Sequence, residues 1–271
     1  MNERDAEREQ LWRGLFTDPD HPAHSYTRAA RMFWKHLPGN PRCKMCSVPL
    51  AGMIAPILKL TSKAPSSGNP RFCNKCELWT QRHPGGAEIE MSLLFADVRG
   101  STRLAEELGA AEFARLMQRF YRVANEVLIE SDAWMDKPVG DEVIALYLPI
   151  LAGDHAARAI EGAGMLLEAL GQGIAESPWL QVGGGVHTGV AYIGTVGVAG
   201  SDTYDVTVLG DAVNVTARLA SVAGPGEMLV SEAAIRSAGV ELGDLPWRDL
   251  ELEGRKAPLG VRVLTGSSVL G

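Results

Sequence analysis

Three groups of residues in this chain have the types and spacing for chemistry on a polyphosphate. The first is Leu94-Phe95-Ala96-Asp97-Val98-Arg99-Gly100-Ser101-Thr102. An apolar run delivers a carboxylate at its end, a glycine allows a turn, and two hydroxyl residues can open a helix. Carboxylate oxygen suits Mg²⁺, and backbone N–H groups at a helix start suit phosphate oxygens. The second is Lys137-Pro138-Val139-Gly140-Asp141-Glu142, where Gly140 permits a tight hairpin with Asp141 at its tip. If that hairpin neighbours the Asp97 strand, the two carboxylates can hold two divalent ions roughly 3.5–4 Å apart, the spacing of two-metal phosphoryl chemistry. The third runs from Tyr204 through Thr207 to Asn214 and Arg218. Asn214 and Arg218 are four apart and share a face if the segment is helical. There an amide can orient a ribose, and a guanidinium can stabilise charge on a transferring phosphoryl group. Taken singly, each group has a plain structural reading: Asp97 as a helix cap, Asp141 as an acidic turn, Arg218 as a solvated side chain.

The surrounding pattern supplies elements to position these residues. Ile89 to Phe95 reads as a strand ending at Asp97, and Ala110 to Ser131 as an amphipathic helix burying Phe113, Leu116, Met117, Phe120 and Val127. Ala133 to Lys137 and Glu142 to Leu148 read as a hairpin, and Asp154 as the cap of a helix reaching to about Leu170. Leu180 to His187 and Val190 to Val196 read as a strand pair turning at Gly189. A helix from Asp211 to Ala223 follows, then strands at Glu227 to Ser231, Trp247 to Glu253 and Gly260 to Leu264. This β-α-β-β-α-β order predicts an α+β, ferredoxin-like (split βαβ) domain. On it, His187 reads as a packed histidine, and Gly194, Gly197 and Gly200 as turn markers.

Residues 1–87 have a different texture. They hold 13 Lys and Arg against 7 Asp and Glu, whereas residues 88–271 hold 13 against 26, within a net charge of −7. Opposite balances predict two modules, and the overall sign argues against non-specific binding to nucleic acid or an anionic membrane. In residues 1–37, Leu11, Trp12, Leu15 and Phe16 form one apolar stripe and Ala29, Met32, Phe33 and Leu37 another. Residues 38–83 contain all four cysteines, as Cys43-Lys44-Met45-Cys46 and Cys73-Asn74-Lys75-Cys76 with 26 residues between. Two such doublets suit a tetrahedral structural zinc site, while an iron–sulfur cluster uses the same four thiolates. Lys44, Lys63, Arg71 and Lys75 would offset the charge of that centre, and the module has too few apolar residues to fold well without metal. Residues 84–88 read as a linker. The charged N-terminus does not resemble a signal peptide and no apolar run suits a bilayer span, so the expected location is cytoplasmic, with no membrane insertion.

In order and spacing, the motifs from Glu88 to Leu264 resemble the catalytic domain of bacterial-type class III adenylate and guanylate cyclases. The resemblance implies a cyclase domain over residues 89–266. It implies that Asp97 and Asp141, with the Val98 carbonyl, hold two Mg²⁺ or Mn²⁺ ions. It further implies that Lys137 and Thr207 read the purine, that Asn214 and Arg218 act on the transition state, and that Arg99, Gly100, Ser101 and Thr102 cradle the β- and γ-phosphates of a nucleoside triphosphate. In this family one subunit supplies the metal aspartates and the other supplies the rest, so a homodimer is implied and a monomer should be inert. Lys137 paired with Thr207 resembles the bacterial bicarbonate-responsive subclass. Because a lysine donor suits adenine N1, whereas guanine presents a donor there, ATP conversion to cyclic AMP is expected over GTP. Guanylate cyclase activity, or a degenerate nucleotide-binding dimer, is the alternative. One departure stands out: the family's late phosphate-binding lysine falls at Glu253, with Arg255 or Lys256 as possible substitutes. The cysteine module sits where cyclases carry sensors, which implies a regulatory role.

Overall fold

The computed structural model describes residues 3–18, 20–21, 31, 33–34, 36–37, 39, 41–136, 138–172, 178–197, 204–252 and 257–266. In chain order its elements begin with helices α1 (Glu3–Thr17), α2 (Ala55–Leu58) and α3 (Asn74–Arg82). Next come β1 (Gly86–Val98), α4 (Ser101–Leu108), α5 (Ala110–Glu130), β2 (Trp134–Met135), β3 (Glu142–Tyr147), α6 (His155–Ala169) and β4 (Val182–Val196). The remainder is β5 (Asp205–Leu209), α7 (Asp211–Val222), β6 (Glu227–Ser231), α8 (Glu232–Ala238), β7 (Trp247–Leu250) and β8 (Leu259–Thr265). The chain divides into two compact units, Met1–Ile89 with Ala191–Leu209, and Glu90–Val190 with Gly210–Gly271.

The second unit carries the split βαβ arrangement. Its strands follow the order β2-β3-β1-β4-β6-β8-β7, whose β2-β3-β1-β4 stretch, connected through α5 and α6, is the ferredoxin-like core. Strands β1 and β3 are antiparallel, and β4 and β6 are parallel. Side chains on β6 alternate between the two faces, as strand geometry requires. Met228 and Val230 join a core with Met117, Phe120, Ala124 and Leu128 of α5 and with Ala159, Ala163 and Leu166 of α6. Leu229 instead faces Val215 and Leu219 of α7. Helix α7 therefore lies on the opposite face from α5 and α6. The apolar stripe of α5 recurs every three or four residues, and Phe113, Leu116 and Val127 flank it half-buried.

Two expectations from the sequence need correction. Gly189 is not a turn: β4 runs unbroken from Val182 to Val196. Gly189 does not take a positive φ; a Cβ there would lie 3.1 Å from Ala212 Cβ, so the missing side chain serves close packing against α7. The second apolar stripe of residues 1–37 is not buried where it is described. Ala29 and Met32 lie outside the described residues, and Phe33 is 61% exposed, edge-on to Trp34. Asp154 does stand at the N-cap of α6, but its side chain makes no cap hydrogen bond and lies 3.7 Å from Arg158 Nε.

On the α7 side, β4 presents Gly183 and Gly185. A Cβ on Gly185 would collide with the Leu219 side chain and come within 3.0 Å of Thr216 O and Ala220 N. One on Gly183 would come within 2.9 Å of Ala223 O and Gly224 O. The absence of side chains lets the helix backbone rest directly on the strand.

The first unit centres on α1, which buries Trp12, Leu15 and Phe16. Trp12 packs edge-on to Trp79 of α3, with ring centroids 5.3 Å apart, and donates its indole N–H to His83 O at 2.9 Å. The far half of β4 pairs with β5, setting Thr207 opposite Gly194. No helix among the described residues is long and apolar enough to cross a membrane. Gly185→Ala should cost about 1–3 kcal/mol, because the methyl meets backbone atoms that cannot retreat. Gly153→Ala, with open space around its Cβ, should stay within roughly 0.5 kcal/mol of the parent; urea unfolding midpoints of the two variants check both.

Candidate active site

Strand pairing brings the two aspartates together. The β1–β3 register sets Asp97 opposite Glu142 and leaves Asp141 one residue before it at the hairpin tip. The ladder continues past the strands, with Val98 N–H donating to Asp141 O at 3.3 Å. Gly140 takes φ +62 in the turn, Val139 and Glu142 form an isolated bridge, and the Tyr121 hydroxyl of α5 donates to Gly140 O. Three carboxylates thus meet in a half-buried corner. Burial, then the Asp141 charge, raises the Asp97 carboxyl to about 6. Burial, then the charges of Asp97 and Asp141, raises Glu142 to about 7. Oδ1 of Asp97 is buried and accepts no hydrogen bond. Oxygen ligands, crowded negative charge and an orphaned acceptor together fit a hard divalent cation.

Arg99 binds this corner to the α7 side of the same unit. Its guanidinium lies 3.0 Å from Asp97 Oδ2 and donates to Ser221 O and Ala223 O at 3.2 and 3.3 Å. Its backbone N–H donates to Gln181 O at 2.9 Å. Gly100 takes φ +68 as N-cap of α4, so Ser101 and Thr102 form the helix's first residues and their N–H groups open it. The Arg99 side chain is therefore engaged with a carboxylate and helix-end carbonyls, while the amides of residues 101 and 102 lie at the helix start.

Helix α7 buries Ala212, Val215, Thr216, Leu219 and Ala220. Asn214 is exposed and Arg218 half-buried on the other side of the helix, one turn apart. In the first unit, Thr207 lies half-buried in β5. Lys137, Glu253, Arg255 and Lys256 lie outside the described residues. His187 is a packed histidine, 7% exposed, with Nδ1 2.8 Å from Ser231 Oγ.

The four cysteines form a separate centre in the first unit. Cys43 N–H donates to Val48 O, Ser47 N–H returns to Cys43 O, and Ser47 takes φ +58, which closes the first knuckle. Cys73 stands at the N-cap of α3 and Cys76 one turn in, so the helix start presents the second pair. All four Sγ atoms lie within 4.8 Å of one another, and Cys46 and Cys73 are 3.8 Å apart. A single tetrahedral zinc with sulfur ligands requires a sulfur–sulfur edge of about 3.8 Å. Burial pushes the Cys43 thiol up, whereas the hydrogen bond from Cys43 holds Cys46 down. Lys63 Nζ approaches Cys46 Sγ at 3.5 Å. The donor set fits one thiophilic ion.

The profile of the "Adenylate and Guanylate cyclase catalytic domain" family matches residues 87–258. The chain belongs to that family. The cyclase domain is similar to an adenylate cyclase of Anabaena cylindrica, 28% identical over 158 residues that cover 54% of this chain and 30% of that protein. An uncharacterized protein of Mycobacterium tuberculosis is 31% identical over 157 residues, covering 57% of this chain and 27% of its own length. This chain thus spans only about a third of those curated relatives. Among solved structures, the guanylyl cyclase Cya2 aligns with a TM-score of 0.59 at 24% identity, covering 66% of this chain and 93% of that one. The adenylyl cyclase CyaB from P. aeruginosa aligns at 0.56 and 25%, covering 69% and 99%.

Sequence reasoning passed over Glu142 as a member of the acidic corner and Arg99 as a partner of Asp97. The signal for Glu142 was the hairpin register itself, since the residue after a tip carboxylate returns alongside the incoming strand. Both raised acids bind protons more tightly folded than unfolded. Folding therefore takes up protons between about pH 4 and 7, and metal-free stability falls as pH rises through that window. Asp97→Asn and Glu142→Gln should flatten that slope in thermal melts. Mn²⁺ added at about pH 7.5 should raise the wild-type Tm and leave Asp97→Asn nearly unmoved.

Proposed function

We propose that this chain converts ATP to 3′,5′-cyclic AMP and pyrophosphate as a homodimer with two shared active sites. The observation that carries this reading is the meeting of Asp97 and Asp141 around an unsatisfied carboxylate oxygen, within a chain that matches the cyclase family over residues 87–258. In the reaction the ribose 3′-oxygen bonds to the α-phosphorus in line as the bond to the bridging oxygen of pyrophosphate breaks. Two Mg²⁺ or Mn²⁺ ions held by Asp97 and Asp141, with the Val98 carbonyl, supply neutralisation of phosphate charge and a more acidic 3′-hydroxyl. The partner's copy of α7 contributes the rest: Asn214 orients the ribose, and Arg218 faces the charge that grows on the α-phosphoryl oxygens. The amides of Ser101 and Thr102 receive the β- and γ-phosphates. Gly100 gives the chain its approach. Arg99 holds Asp97 in place as well as adding positive charge beside the phosphates.

Lys137 donates to adenine N1, and the Thr207 hydroxyl accepts from the exocyclic amine. Guanine offers a donor where adenine offers N1, so this pair favours ATP. Adenylyl and guanylyl cyclases both stand among the similar proteins, so the choice of ATP rests on this hydrogen-bond pairing. The cysteine centre holds zinc in our reading, because a cluster of bridged irons spreads its thiolates more widely than a single ion does, and the observed sulfur separations suit one ion. We assign residues 38–83 as a metal module that regulates a cyclase domain over residues 89–266, joined by residues 84–88.

Purified protein given ATP or GTP with Mg²⁺ or Mn²⁺ should release cyclic AMP and pyrophosphate faster than cyclic GMP, read by chromatography. Cyclic GMP as the main product would reverse the substrate assignment. Asp97→Asn and Arg218→Ala should each lower kcat by about 100-fold or more. Mixed and re-equilibrated, the two variants should recover about a quarter of wild-type activity, because half the dimers then contain one intact site. No recovery in verified heterodimers would refute shared sites. Elemental analysis should find one zinc per chain, and visible-range absorbance in an anaerobic preparation would indicate iron–sulfur instead.

A further inference from the structure

Tyr204, Asp205 and Val206 immediately precede Thr207, and residues of the cysteine module grip each of the three within the first unit. Lys44 lies inside the first knuckle, between Cys43 and Cys46, with its side chain 2% exposed. Its Nζ stands 3.4 Å from both carboxylate oxygens of Asp205 and donates to Val206 O. Arg71, two residues before Cys73, pairs with the same carboxylate, and its carbonyl accepts from Lys44 N–H at 2.9 Å. Asn69 donates to Tyr204 O at 2.8 Å and steadies Arg71 by accepting its N–H at 3.1 Å. The Tyr204 hydroxyl donates to Thr80 O at 2.6 Å, on the helix that opens at Cys73.

We propose that Lys44, Arg71 and Asn69 are positioning residues that couple occupancy of the cysteine centre to strand β5, so that metal binding sets Thr207 for reading the purine. This rests on the assignment of Thr207 as a base-reading residue. A buried ammonium–carboxylate pair is a poor source of stability compared with apolar packing, but removing one partner strands a charge, so such a pair fixes register. Register matters here because β5 has one strand neighbour, β4, among the described residues. The side of β5 not paired with a strand is held through the knuckle segment. The knuckle segment depends in turn on its ligand: four crowded, largely buried thiols and few apolar residues leave little to order Lys44 and Arg71 once metal is withdrawn. Losing the metal frees the Asp205 end of β5 while the sheet of the second unit, with its own core, stays folded.

Hydrogen–deuterium exchange on the full-length protein tests this directly. Removing zinc with a chelator should speed exchange in a peptide spanning Val206 to Leu209 by about tenfold or more, while a peptide spanning Met228 to Ser231 stays protected. Asp205→Asn, still carrying a full complement of zinc, should show the same faster exchange and raise KM for ATP more than it lowers kcat. Asn69→Ala strands no charge and should give a smaller acceleration in the same peptide. It decides the matter together with zinc removal if Asp205→Asn also loses protection at Met228 to Ser231 and has therefore unfolded. Unchanged exchange on zinc removal would overturn the coupling, as would faster exchange with KM for ATP unmoved. Thr207→Asp separates this from the parent assignment: if the ATP-to-GTP ratio of kcat/KM does not shift, Thr207 does not read the base, whatever the exchange data show.

Discussion

The active-site reading depends on two carboxylates being held close enough to repel. Nothing about aspartate favours that meeting, and the backbone enforces it. The ladder between β1 and β3 fixes Asp97 against Glu142 and brings the hairpin tip with Asp141 alongside. The strands behind them, Leu93, Leu94, Val143 and Ala145 among others, are buried to 2% exposure or less, so hydrophobic burial holds the register against the electrostatic cost. Burial first, and then the neighbouring carboxylate charges, raise the affinities of Asp97 and Glu142 for protons. Arg99 offsets part of that cost from the side, and a divalent cation would offset the rest.

Much of this was legible in the sequence, for identifiable reasons. Asp97, Asp141, Asn214 and Arg218 stand at element ends or one helical turn apart, and such placements follow from periodicity and glycine turns alone. The four cysteines announce themselves by spacing, and the structure gathers their sulfurs. The α+β, split βαβ order was readable because long amphipathic helices separate short apolar runs bounded by turn residues. The Gly189 turn failed for a physical reason: a glycine within a strand marks close approach of another backbone as often as it marks a bend, and only the packed helix distinguishes the two. Long-range pairings were not legible either. The charge of Lys44 read as compensation for nearby thiolates, whereas its ammonium reaches a carboxylate 161 residues along the chain. No local pattern encodes that.

The two units use different means to stay ordered. The second has a two-faced sheet with helices on both sides and an ample apolar core. The first relies on Trp12 and its aromatic neighbours around α1 and α3, on backbone turns at the knuckles, and on the four thiols.

The bare stretch of β4 at Gly183 and Gly185 has a mechanical corollary. Side chains at a helix–sheet contact act as compliant spacers that can switch rotamers and let the two layers slip. At these two glycines α7 meets the strand with no side chain of β4 between them, a contact without that give, while Val215 and Leu219 pack on Leu229 through side chains. Asn214 and Arg218 are therefore carried as fixtures of the sheet. A displacement of the sheet at this contact carries both residues with it.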